Sequence, residues 1–274
     1  MKFLGNAIIW IALYLVYMAT FGSRGNMSAG VILVSVVIAA PLLFVGQLLI
    51  NSAAGEAQAD ADLIAKAILD AKGSWDKPYF LYLRPFDSTN AFKVADNPAH
   101  NLFSTEIWER DDYDDIERVL SKAISPTAPF AAFGRPGEHR GAGRIFIPDE
   151  GWLDQVSLLV RGATVIFAMP ASNAGTIREL RLLVEESFLH KTIFIMPPSN
   201  SGAFVSAEAD WPTRWQAMRE ECAHFDLHIP AYDRAGQLFM LAPKHGLESQ
   251  PLPGADPVPW AHTIERLLRI EEPP

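Results

Sequence analysis

The chain has 274 residues, 49% of them hydrophobic, a net charge of −9 and a single cysteine, Cys222. Residues 1–51 carry +2 through Lys2 and Arg24 with no acid, which leaves −11 on the rest. Bulk charge of that sign argues against a nucleic-acid partner or an anionic-lipid surface, and one cysteine excludes a disulfide framework.

Two apolar segments open the chain. Phe3–Gly22 is 20 residues without a charge and Ala29–Ile50 is 22, with the six-residue polar turn Ser23–Ser28 between them. At ~1.5 Å per residue each matches a ~30 Å hydrocarbon core, so residues 1–50 are expected to form a transmembrane helical hairpin with spans 3–22 and 29–50. A signal peptide fits Phe3–Gly22 poorly, because the run is too long and a second span follows at once. Pro41 predicts a kink in the second span. Neither span holds an ionisable residue, so the partner is the lipid bilayer and the hairpin is an anchor rather than a transport path. The Lys/Arg distribution (Lys2 before the spans, Lys66 and Lys72 after them, Arg24 between) favours both termini in the cytoplasm. With the lone cysteine, it suggests a bacterial inner-membrane protein whose soluble domain faces the cytoplasm.

Residues 51–75 are read as a juxtamembrane linker: Asn51–Gln58 is a small polar exit, and Asp60–Lys72 is an amphipathic helix carrying Leu63, Ile64, Ala67, Ile68 and Ala71. That helix is expected to pack on the following domain or on a second copy, which makes a homo-oligomer the expected assembly.

Residues 76–274 alternate apolar runs with amphipathic segments. Tyr79–Leu83 reads as a strand buried on both faces. Glu106–Glu117, with seven acids in 12 residues, reads as a solvated entry to an amphipathic helix bearing Ile116, Val119, Leu120, Ala123 and Ile124. Further strands are expected at Pro129–Phe133, Arg144–Ile147, Thr164–Met169, Thr192–Met196 and Gln237–Ala242. Helices are expected after Asp149 as N-cap, over Ile177–Phe188, over Trp211–Phe225 and over Trp260–Arg269, with Pro251–Pro259 a rigid connection. The expected fold class is α/β, a mostly parallel sheet covered by helices on both faces, TIR/flavodoxin-like in type.

Three loops should gather at the carboxyl edge of such a sheet, where ligands bind. Arg84 and Asp87 follow the first strand. Arg135, Gly137, Arg140 and Arg144 follow the second, with Pro136-Gly137 suited to a type II turn. Ser172 lies in Pro170–Gly175 after Thr164–Met169, ahead of the helix that carries Glu179. Cations beside a carboxylate can hold the phosphates of a nucleotide while the acid faces a ribose; the plainer reading is that these arginines pair with surface acids.

These segments resemble a Toll/interleukin-1 receptor homology (TIR) domain or a related nucleoside-processing α/β domain. The likeness rests on Phe80–Leu83 followed by Asp87, on Arg135-Pro136-Gly137, on Trp152–Met169, and on Gly175-Thr176-Ile177-Arg178-Glu179-Leu180. It covers about residues 79–198 and leaves 199–274 as a C-terminal extension. The family's Trp-Cys pair is replaced by Ile177-Arg178, and Arg178 is expected to depress the basicity of its neighbour Glu179. The resemblance implies a signalling or defence domain in which Glu179 is the catalytic candidate for cleaving NAD or a nucleoside at its N-glycosidic bond. It implies NAD as substrate, with no resident cofactor. The rival reading is a non-catalytic, membrane-tethered module for protein interaction or self-association.

Other constellations carry less. His224 and His228 with Glu220, Glu221 and Asp226 have metal-ligand spacing but no evident third ligand, so no metal is assigned. Cys222, Trp211 and Trp215 sit at the apolar positions of their helix and are expected in the core.

Overall fold

The computed structural model describes residues 2–21, 29–85, 92–95, 113–125, 127–135, 141–148, 150–199, 204–206, 210–242, 246–254 and 256–269. The chain divides into two compact units, one N-terminal and ending at Ala57, the other holding the α/β fold from Gln58 onward.

In the first unit, α1 spans Lys2–Phe21 and α2 begins at Ala29. The two touch where side chains are smallest: a Cβ on Gly5 would lie 2.8 Å from the Gly46 carbonyl oxygen, and one on Gly46 would lie 2.5 Å from Ile9 Cγ1. Glycine at both positions lets the backbones approach. Large apolar side chains on the remaining faces are exposed, among them Trp10, Tyr14 and Tyr17 on α1 and Leu33, Val37 and Phe44 on α2. α2 alone among the described helices is long and apolar enough to cross a membrane by length and composition; Phe3–Met18 is a shorter apolar helix.

The expected break between span and juxtamembrane helix is absent. α2 is one helix of 42 residues, Ala29–Asp70, and runs through Pro41. Asn51–Gln58 contains no proline, and its three alanines, Glu56 and Gln58 favour helix enough to carry Gly55, so the small polar exit stays helical.

In the second unit, the central sheet runs β10-β9-β7-β6-β1-β4-β5. Its strands are β1 (Phe80–Leu83), β4 (Phe130–Phe133), β5 (Gly143–Ile145), β6 (Val165–Ala168), β7 (Thr192–Met196), β9 (Gln237–Ala242) and β10 (Gly246–Pro251). The first five are parallel; β9 is antiparallel to both β7 and β10. A small antiparallel sheet, β3-β2-β8, is made by Phe92–Ala95 (β2), Tyr113–Asp115 (β3) and Phe204–Ser206 (β8). The acidic run therefore ends in a short strand that feeds α3 (Ile116–Ile124).

Alternation along the strands divides the core in two. Leu81, Leu83, Ile166 and Phe194 face α4 (Trp152–Gly162), α5 (Ala174–Glu185), α6 (Trp211–Ala223) and the end of α2. Phe80, Tyr82, Phe167 and Ile195 face α3 and α7 (Pro257–Arg269). Strands covered on both faces read as unbroken apolar runs, and each buried Phe or Leu contributes roughly 1.5–3 kcal/mol. Trp211, Trp215 and Cys222 are core residues, and burial, with Glu221 adding to it, pushes the Cys222 thiol up to about 12. Beyond residue 199, β9 and β10 extend this sheet, and α6 and α7 pack on its two faces. Asp149, expected as the N-cap, lies outside the described residues and is not the cap: that position is Gly151, in the left-handed region at φ 72° and with no side-chain cap hydrogen bond.

Candidate functional site

β1 and β6 end side by side, with Leu83 opposite Ala168 and the Met169 N–H donating to the Leu83 carbonyl at 3.2 Å. The helices that follow these strands, α3 and α5, lie on opposite faces of the sheet. Such a point of divergence is where open α/β sheets bind ligands.

On the α3 side a buried ionic cluster closes the edge. Arg84, the first residue after β1, donates through Nε to the Phe133 carbonyl at 3.2 Å, and its Nη1 stands 3.5 Å from Glu117 Oε2. Arg144 pairs with the same carboxylate, Nη1 donating to Oε2 at 3.1 Å and Nη2 standing 2.8 Å from Oε1 as an ion pair. The Ala142 N–H donates to Oε1 at 3.2 Å. Glu117 is 3% exposed, Arg84 6% and Arg144 1%. A buried charge is tolerated when it is paired and hydrogen-bonded, and here one carboxylate answers two guanidinium groups.

On the other side stands Glu179, in the second turn of α5. Asn173 caps that helix by accepting from the Thr176 N–H at 2.8 Å, and Thr176 and Glu179 lie one turn apart on its buried face. Glu179 is 1% exposed, and among the described residues neither carboxyl oxygen, nor the Thr176 hydroxyl, has a hydrogen-bond partner. Burial raises the acid from 4.5 to about 8, so it is protonated at neutral pH. The expectation that Arg178 would lower its basicity is overturned: Arg178 is exposed, on a different face of the helix, and desolvation decides the direction. A neutral carboxylic acid can donate a hydrogen bond or a proton, and a cation brought beside it would draw it toward carboxylate.

The remaining expected site residues fall as follows. Arg135 is exposed immediately beyond β4, and Ser172 is exposed just ahead of the Asn173 cap. Asp87, Gly137 and Arg140 lie outside the described residues. The structure brings Arg84 and Arg144 together, but on Glu117 rather than toward solvent. Glu117 was hidden among seven acids; its signal was position, since 117, 120 and 124 share a helical face and Leu120 and Ile124 are core. Among the described residues, no group of three or more His, Cys, Asp or Glu could hold a metal ion.

No family model matches the chain, and comparison with curated proteins and with solved structures returns no match.

Proposed function

We propose that this chain is a membrane-anchored, TIR-like signalling or defence domain that binds a nucleotide-type ligand where β1 and β6 end, with Glu179 meeting the ribose and its base. The observation that carries the reading is the buried Glu179 carboxyl with the Thr176 hydroxyl, both without partners among the described residues, beside the point where the crossover changes face. An unsatisfied buried polar group calls for a role, and a carboxyl whose pKa burial raises is a candidate catalytic acid. Counted in chain order, the five parallel strands run 3-2-1-4-5 across the sheet, a doubly wound order whose switch point lies between β1 and β6.

The reaction this group suits is hydrolysis of an N-glycosidic bond. As the base departs, C1′ gains positive charge, and water supplies the oxygen that replaces nitrogen. A neutral base leaves more easily if Glu179 gives it a proton. The nicotinamide ring of NAD is already cationic, so its arrival would ionise Glu179, whose carboxylate then steadies C1′. Arg135, exposed at the end of β4, supplies a cation for the diphosphate. The apolar α1 and α2 hold the chain as two spans, with the α/β unit on the cytoplasmic face of an inner membrane.

The test is nicotinamide release from NAD by the full chain in lipid vesicles, with Glu179→Gln beside it. Release reduced ~10²-fold or more by the substitution is expected; no release, or release that the variant leaves unchanged, overturns the enzymatic reading. A second reading, a non-catalytic self-association module, is favoured by Leu63 and Ile64, which α2 leaves exposed. It predicts no nicotinamide release but efficient cross-linking of Leu63→Cys chains within the vesicle.

A further inference from the structure

Among the described residues the edge strand β5 has no partner strand on its outer side, and α2 takes that place with side chains. The Gln58 amide accepts from the Gly141 N–H at 2.9 Å and donates to the Ala142 carbonyl at 3.0 Å. Asp62 accepts from the Arg144 N–H at 2.7 Å and from Gln58 Nε2 at 2.9 Å. The same three residues are held from within by α3: Ser121 donates to the Gly141 carbonyl at 3.0 Å, and Glu117 takes the Ala142 N–H and the Arg144 guanidinium. Gly143 permits this closeness, because a Cβ there would lie 2.1 Å from the Ala61 carbonyl oxygen.

We infer that Gly141–Arg144 is a coupling hinge through which α2, the helix that carries the apolar N-terminal segment, sets the position of Arg84 at the end of β1. The two states are α2 docked and α2 released. Docked, Asp62 fixes the Arg144 backbone, Arg144 fixes Glu117, and Glu117 fixes Arg84. Released, the Gly141 and Arg144 N–H groups and the Ala142 carbonyl lose their outer partners, and the ion cluster loses its support on one side. Linkage makes the effect reciprocal: whatever shifts Arg84 changes how firmly α2 docks. The hinge stands whether or not the crevice hydrolyses a nucleotide; only the meaning of moving Arg84 rests on that reading.

The experiment is hydrogen exchange on the full chain in lipid nanodiscs, with arginine side chains labelled so that the Arg84 and Arg144 Nε–H groups are followed directly. Gln58→Ala is expected to speed exchange of the Gly141 and Arg144 amides roughly tenfold, the loss of a net hydrogen bond or so. It should speed the Arg84 Nε–H as well, while Val165–Ala168 and Thr192–Met196 stay protected. An Arg84 Nε–H that exchanges at its original rate while Gly141 loosens overturns the hinge. In reverse, Arg84→Lys should loosen the Gln58–Ile68 amides of α2, and unchanged protection there also overturns it. Gln58→Ala decides alone if Arg84→Lys does not fold, since Gln58 is only half-buried and water can replace its bonds. A chain that releases no nicotinamide but shows these exchange changes loses the enzymatic reading and keeps the hinge.

Discussion

Glu117 and Glu179 are both carboxyl groups buried in the first two turns of a helix, and they meet burial in opposite ways. Glu117 is met by two arginines and a backbone N–H; Glu179 meets neither counter-charge nor hydrogen bond among the described residues, and burial pushes it up to about 8. The contrast separates a carboxyl that holds the fold from one that is chemically unspent. Structural acids recruit their partners during folding, whereas a group with none in place is available to a ligand.

The sharpest way to break this contrast is to remove the paired acid. Glu117→Ala leaves two buried guanidinium groups facing each other and is expected to cost about 3–5 kcal/mol, read as a fall in the urea midpoint followed by tryptophan fluorescence in detergent. A loss under about 1 kcal/mol would mean that the cluster is well hydrated and that Glu117 and Glu179 are not opposites.

Removing the unpaired acid should have a smaller effect, and one that depends on pH. The folded acid binds its proton up to about 8, against 4.5 as the ordinary value, so the folded chain holds the extra proton between them. Stability from this group is therefore fully present below about pH 4.5 and is lost as pH rises toward about 8, by an amount on the order of 2–4 kcal/mol. Glu179→Gln should flatten that fall, measured as urea midpoints at pH 5 and pH 8; parallel slopes in the two proteins would place a partner beside Glu179.

At the small end stands Arg161, whose ion pair with Glu186 lies at the surface, with Arg161 more than half exposed. Arg161→Ala should leave the midpoint unchanged, and a measurable shift would show that surface pairs matter here more than solvent screening allows.

Much of this fold was legible in the residues. β7 and β9 fall where Thr192–Met196 and Gln237–Ala242 put them, since strands covered on both faces show as apolar runs. β10 was not legible: Gly-Leu-Glu-Ser-Gln-Pro is an edge strand, mostly exposed, whose pairing is written in backbone rather than in side chains. β3 was not legible either, because Tyr-Asp-Asp carries no apolar alternation in sequence. At the site, Glu179 could be picked out as an acid early in a helix after a strand, but its burial depends on how α5 seats against the sheet. Arg84 and Arg144 could be recognised as cations near one edge, while the acid they meet is 33 residues from one and 27 from the other. Pairing over that distance belongs to topology, which no local pattern encodes.

The unbroken course of α2 makes chain length act as phase. Each residue added or removed between Ile50 and Gln58 turns the apolar part of α2 by about 100° around the helix axis relative to the part that carries Gln58 and Asp62, whose bonds to Gly141–Arg144 are local and stay made. Seven residues, close to two full turns, nearly restore the angle, whereas two or five do not. Length variation in this stretch is thus quantised in the phase of one half of the helix against the other, while the grip of Gln58 and Asp62 on the sheet is kept at any length.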